Sequence, residues 1–283
     1  MRIELEQGTP EWLTFRETKI GASDAPIIMG VSPWCTPYQL WERKLRLKEA
    51  QTMTPAMARG HAMEAKAREQ LELHFGIVLK PGVIQSDVYE WQMACLDAIS
   101  EDGSIVIEIK CPGKDDHSSA ASAKVPMHYA PQLQHIMAVT GAQKMFYFSY
   151  SDDSSHLLEV DRDNNYITEM IRKERTFYSC MMNLTPPELC GKDTQSWDPS
   201  DEDNVRRLVN LLEYRKLIED EISSLQRHLK SKLTTTTVGY GLKAYFIKER
   251  GTVDYSSIPE LASINLDKYR RFSMPTWGFK LEE

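Results

Sequence analysis

Four places in the first third of the chain set a hydroxyl or carboxylate residue at the start of a periodic run: Thr9-Pro10, Ser23-Asp24, Thr36-Pro37 and Thr54-Pro55. A side-chain oxygen there accepts an orphan amide of a first helical turn, and a proline at the first helical position loses no hydrogen bond, so each predicts a helix start. The clearest run goes from Pro55 to Phe75 and stops at Gly76. Its face reads Met57, His61, Glu64, Arg68, Leu71, Phe75, an apolar stripe interrupted by an acid and a base. Gly60 lies inside this run at a cost of about 1 kcal/mol relative to alanine, which predicts a close approach by a neighbour.

After Gly76 the period shortens to two. Strands are predicted over 77–79, from Val83 onward after a Pro81-Gly82 turn, through Ala98, and over 104–110. A helix over 126–140 ends at Gly141, and strands over 144–150 and 157–160 follow. An amphipathic helix then carries Ile167, Met170, Ile171, Phe177 and Met181. This order predicts a mixed α/β fold, a central mixed sheet flanked by helices, as a first domain over 1–186. The segment 185–203, rich in Pro, Asp and Ser, reads as a linker to an accessory unit over 187–283. That unit opens on a long charged helix with heptad-like spacing through Leu208, Ile218, Ile222, Leu225 and Leu229, suited to a hairpin arm or coiled-coil contact. A β-hairpin over 238–255, turning near Arg250-Gly251, is expected after it.

Composition narrows the class. The 283 residues are 41% hydrophobic and 27% charged, the balance of a soluble globular protein. No apolar run approaches the ~20 residues of a membrane span, and the opening residues lack the pattern of a signal peptide, so a cytoplasmic location is expected. The five cysteines contain no C-x-x-C pair, which argues against a disulfide framework or a zinc ribbon. A formal net charge of −7 is not that of an obvious nucleic-acid binder. A carboxylate-rich metal site beside a local basic lining is compatible with it.

The candidate chemistry comes from a turn. Asp102-Gly103 is a type I′ signal for a two-residue hairpin loop, which pairs residue 101 with 104 and, continued outward, Asp97 with Glu108. Lys110 then shares the Glu108 face, while Ile105, Ile107 and Ile109 lie opposite Leu96 and Ala98 on the other. Two carboxylates about 5 Å apart across strands repel unless a cation bridges them. Mg²⁺ is the natural bridge, and a lysine beside it can orient or deprotonate a water. A surface hairpin in which Lys110 neutralises Glu108 is the competing reading. Glu64, on a face that should be buried, needs either Arg68 or the metal.

Asp97 followed by Glu108-Ile109-Lys110-Cys111-Pro112 resembles the PD-(D/E)xK nuclease motif. Trp12…Phe15-Arg16…Gly21-Ala22-Ser23-Asp24, Arg59-Gly60…Glu64 and Tyr129…Gln132-Leu133-Gln134 extend the resemblance to the lambda exonuclease or YqaJ-like phage recombination exonucleases, over roughly residues 10 to 180. The resemblance implies a restriction-endonuclease-like core. It implies Mg²⁺, with Mn²⁺ as a substitute, held by Asp97, Glu108, the Ile109 carbonyl and Glu64. Lys110 activates water, Gln132 sits beside the lysine and the scissile phosphate, and Arg16 and Ser23 bind the 5′-phosphate of the resected strand. Cys95 stands where family members often carry a serine. The activity so implied is 5′-to-3′ degradation of linear duplex DNA to mononucleotides, leaving 3′ single strands for an annealing recombinase, by a phage- or prophage-encoded homo-oligomer, with a trimer known in the family. A DNA endonuclease of the same fold and a catalytically silent DNA-end-binding protein are the rivals. In the accessory unit, Lys243, Lys248, Arg250, Lys268, Arg270 and Arg271, with Tyr269 and Trp277, either line DNA or form a solvated basic face.

Overall fold

The computed structural model describes residues 1–5, 8–48, 54–245, 258–261 and 264, without the side chains of 56, 57 and 260. The chain divides into two compact units, Met1–Thr194 and Gln195–Glu283.

The first unit is a mixed sheet between helices. Its strands are β1 (Arg2–Ile3), β2 (Ile20–Gly21), β3 (Leu79–Gln85), β4 (Gln92–Ser100), β5 (Val106–Lys110), β6 (Lys144–Tyr150) and β7 (Ser155–Asp161). They order as β1-β3-β4-β5-β6-β7, with β2 added to β4. Neighbours run antiparallel except β2·β4 and β5·β6. The helices are α1 (Pro10–Glu17), α2 (Ala25–Ile28), α3 (Pro37–Lys44), α4 (Pro55–Phe75), α5 (Lys114–Ala121), α6 (Ala130–Thr140) and α7 (Asn164–Met182). The starts of α1 and α3 follow their signals: Thr9 and Thr36 each accept an amide of the first turn, and Thr36 forms a capping box with Gln39. Gly76 and Gly141 end α4 and α6 at φ +68 and +78, a region open to glycine.

One face of the sheet packs Leu96, Ile99, Val106 and Tyr147 against Leu133, Ile136 and Met137 of α6. The opposite face packs Ala98, Ile107, Ile109 and Phe148 against Ala67 and Leu71 of α4. Leu96 and Ala98 therefore lie on opposite faces, contrary to simple alternation. The cause is a bulge: Lys80 pairs with Ile99 and Gly82 with Leu96, so Asp97 and Ala98 together face the single residue Pro81. Pro81-Gly82 is thus part of β3 and not a turn. Pro81 has no N–H to lose from the ladder at that point.

Three further expectations change. Among the described residues a Cβ on Gly60 would meet nothing within 4 Å, so none of them explains that glycine by a close approach. The buried stripe of α4 is Met63, Ala67 and Leu71, one side-step from the expected face, and His61 is exposed. Helix α5 follows Gly113 with no side-chain cap, which hid it from the sequence.

In the second unit, α8 (Glu202–Lys230) is the expected long helix, with Leu211, Ile218, Ile222 and Leu225 exposed. A hairpin of β8 (Thr237–Gly239) with β9 (Leu242–Ala244) turns at Tyr240-Gly241, and the expected turn near Arg250-Gly251 lies outside the described residues. Tyr240 and Gly241 both take positive φ, the conformation a two-residue hairpin turn demands. Lys248, Arg250, Lys268, Tyr269, Arg270, Arg271 and Trp277 lie outside the described residues.

Candidate active site

The β4–β5 pairing sets the site. Ala98 pairs with Ile107 and Ile99 with Val106, the register that places Asp97 across from Glu108. The loop is wider than two residues: Ser100 N–H reaches the Ile105 carbonyl at 3.0 Å, and Gly103 N–H the Ser100 carbonyl at 3.0 Å. Gly103 alone in this loop takes positive φ, at +74, so the turn is not type I′. Asp102 stabilises the loop by accepting from Ser100 Oγ, Ser104 N and Ser104 Oγ, which hold its carboxyl down at about 2. The register survives because the residues opposite one another keep the same sum.

Beyond Ala98 the ladder gives way to side chains. Asp97 Oδ2 accepts the Ile109 N–H at 2.8 Å, and Arg68 Nε donates to the Asp97 carbonyl at 2.9 Å. Glu108 is 2% exposed. Its Oε1 accepts from Lys110 Nζ at 2.5 Å and from Gln132 Nε2 on α6. Burial, and after it the Asp97 charge, push the Glu108 carboxyl up to about 8. Asp97 is likewise raised by burial, against the pull of Lys110 and the Ile109 N–H. Burial disfavours the Lys110 ammonium, but the Glu108 and Asp97 charges outweigh it and hold the lysine above its ordinary value. Lys110 also lies over the Tyr129 ring, 5.5 Å from its centroid.

Glu64 stands at the edge of this group. Burial and the Asp97 charge raise its carboxyl. Its ion partner is His61 at 3.3 Å and not Arg68, which is turned to the Asp97 backbone.

Do these residues fit a divalent metal? Among the described residues, no three acidic, histidine or cysteine side chains converge on one point. The fit rests on Asp97 and Glu108; the Asp97 charge acts on Glu64, but Glu64 does not complete a group of three with them. The observation that favours it is Glu108 Oε2, buried with no hydrogen-bond partner among the described residues. A buried carboxylate oxygen without a partner is costly, and Mg²⁺ takes one or two carboxylates with waters and phosphate oxygens.

Arg16 and Ser23 come together, the guanidinium donating to Ser23 Oγ at 2.8 Å on the surface. Ser23 sits in a 3-10 turn (Ala22–Asp24) and does not cap a helix. Behind them Asp24 and Lys44 form a buried pair at 2.7 Å. Asp24 also accepts the Gly21 N–H, and Lys44 holds the Arg16 and Lys19 carbonyls at 3.2 and 2.7 Å. Cys95 accepts from Trp12 Nε1 at 3.3 Å, and Arg16 lies over the Trp12 ring. Charges on Arg16, Asp97 and Glu108 all act on Cys95, which places the two groups in one neighbourhood.

Sequence reasoning missed a second buried network. His135 is fully buried, its Nδ1 2.7 Å from Glu174 Oε1 and its Nε2 3.0 Å from the Met93 carbonyl. Gln92 Nε2 donates to Glu174 Oε2 at 2.6 Å. This ties α6, one turn after Gln132, to β4 and α7. The available signal was a histidine between Leu133, Ile136 and Met137, on a helix too apolar to leave it in water.

Residues 11–143 match the family described as YqaJ-like viral recombinase domain. The chain is 25% identical over 180 residues to the uncharacterized protein YqaJ of Bacillus subtilis, a stretch covering 62% of this chain. That stretch spans 56% of the relative, little more than half its length. Among solved structures, the alkaline exonuclease LHK-Exo of Laribacter hongkongensis aligns with TM-score 0.55 at 26% identity, over 62% of this chain and 94% of that one. LHK-Exo in complex with dAMP aligns with TM-score 0.54 at 25% identity over the same shares. The resemblance read from the motifs is borne out, and the sheet flanked by helices is that of these exonucleases.

Proposed function

From the likeness of residues 11–143 to the YqaJ-like viral recombinase domain, we propose that the protein is a Mg²⁺-dependent exonuclease acting on linear double-stranded DNA. It degrades one strand from the 5′ end and leaves a 3′ single strand for an annealing recombinase. The observation that carries the reading is the buried Glu108, with one oxygen on Lys110 and Gln132 and the other without a partner among the described residues, beside Asp97. A bound Mg²⁺, which Mn²⁺ can replace, supplies Lewis acidity toward a phosphate oxygen. Asp97, Glu108 and the Ile109 carbonyl hold it, and Glu64 assists from the edge. Lys110, held as an ammonium, orients the attacking water and faces the negative charge carried by the phosphoryl oxygens. Gln132 fixes Glu108 and reaches toward the scissile phosphate. Water attacks phosphorus, the bond to the 3′ oxygen breaks, and a mononucleotide leaves.

Arg16 and Ser23 form the receptor for the terminal 5′-phosphate, because a guanidinium fork matches a phosphate. The protein works as a homo-oligomer in the cytoplasm of a bacterial host. No helix among the described residues is long and apolar enough to cross a membrane.

The test is release of acid-soluble nucleotides from linear and covalently closed circular duplexes, with Mg²⁺ or EDTA, for the parent and Lys110→Ala. Degradation of linear DNA alone, dependent on Mg²⁺, favouring 5′-phosphate ends and lost in the variant, is expected. Cutting of closed circles selects the endonuclease, and no cleavage of any DNA selects the silent end-binding protein.

A further inference from the structure

Four tryptophans belong to the described part of the first unit, and three are packed. Trp12 and Trp41 are 9% and 7% exposed. Trp91 is partly buried against Tyr178 and Tyr89. Trp34 instead leaves 69% of its surface in water. An indole carries more apolar surface than any other side chain, so leaving one in solvent calls for a reason.

The loop is held at both ends. The Trp34 N–H donates to Ser32 Oγ at 3.3 Å, and two residues on Thr36 is buried in the capping box of α3. The indole meets the His128 ring edge to face, with centroids 4.9 Å apart. His128 lies 4.1 Å from the Tyr129 ring, and Tyr129 carries Lys110 Nζ over its face. A row of edge-on and tilted rings therefore runs from an exposed indole to the candidate catalytic lysine. His128 Nε2, in the middle of the row, is 3.3 Å from Asp116 Oδ2. Met127, next in the chain to His128, is also exposed at 78%.

We propose that Trp34, backed by His128, is a stacking platform for a nucleobase of the DNA strand whose phosphate lies at Lys110. The proposal rests on the nuclease reading and adds a base contact to a site otherwise built for phosphate. Stacking suits an enzyme that accepts any sequence, because every base presents a π-face. The platform lies within reach of a few nucleotides from the lysine and takes the base without reading its edge.

The test uses the full chain carrying Lys110→Ala, so that oligonucleotides bind without being cut, with the parent assayed for cleavage alongside. Binding is followed with 5′-phosphorylated oligonucleotides carrying 2-aminopurine at successive positions from the end. Quenching of the analogue at one or two adjacent positions is expected. Adding Trp34→Ala abolishes that quenching and weakens binding about tenfold, whereas Trp34→Phe retains most of both. Thermal melting of each variant separates loss of stacking from loss of the fold. If the parent cuts DNA while Trp34→Ala binds and quenches as before, the platform is overturned and the nuclease stands. If Trp34→Ala changes the sedimentation of the DNA-free protein and leaves quenching intact, the indole is a contact between copies of the chain and the proposal fails. A parent that neither binds nor cuts DNA removes both readings.

Discussion

Glu108 and Glu174 are two buried carboxylates, 2% and 0% exposed, each bonded to a residue of α6, and the fold treats them in opposite ways. Both oxygens of Glu174 are engaged, one by Gln92 and one by His135, which passes its other nitrogen to the Met93 carbonyl. Glu108 has one oxygen on Lys110 and Gln132 and the other on nothing among the described residues, with a second carboxylate across the strand. A satisfied buried network holds elements together. An unsatisfied one is retained at the expense of stability, which is the condition expected of a site that takes a ligand from outside the chain.

The contrast is sharpened most by removing each acid. Glu174→Ala strips His135 of its counter-charge inside the core, and an expected loss of about 3–5 kcal/mol should be read as a fall in the urea midpoint. A loss below about 1 kcal/mol would make the two carboxylates alike. Glu108→Gln keeps the shape and removes a charge that burial and Asp97 already disfavour. Stability should stay within about 1 kcal/mol of the parent or rise, while DNA cleavage disappears. A destabilisation as large as that of Glu174→Ala would break the distinction.

The smallest effect is on pH. Burial alone would lower the His135 imidazole, but the Glu174 charge and hydrogen bond, with the Met93 carbonyl, hold it above its ordinary value. Its stabilisation is then fully present below about pH 6.5, the unfolded value, and is lost as pH rises through the raised folded value. Glu108 acts in the same sense, since an acid raised to about 8 gives up stability as pH climbs to that value. Melting temperatures of the parent and Glu174→Gln should therefore converge from neutral to alkaline pH, and an unchanged gap would mean that the Glu174 charge does not hold the His135 imidazole above its ordinary value.

Much of this was legible because it is local. Caps and prolines marked α1, α3 and α4, and the Asp102-Gly103 signal gave the Asp97–Glu108 register although the loop proved wider than two residues. What stayed hidden depends on residues distant in sequence. His135 and Glu174 are 39 positions apart, and nothing local in either predicts the other. The choice of Glu64 for His61 over Arg68 turns on the Asp97 carbonyl, which competes for the guanidinium. Periodicity misplaced Leu96 relative to Ala98 because it assumes one residue per step, and here two residues share a step opposite Pro81.

That shared step bears on how the gene can change. Up to Leu96 and after Asp97 the strand is written in two reading phases, and the carboxylate proposed to hold the metal stands at the switch. Loss of a single codon between Leu96 and Ile99 would restore an unbroken alternation while displacing the one acid the strand exists to present. Substitutions can drift on either side of Asp97, but the spacing across it is heritable only as a unit.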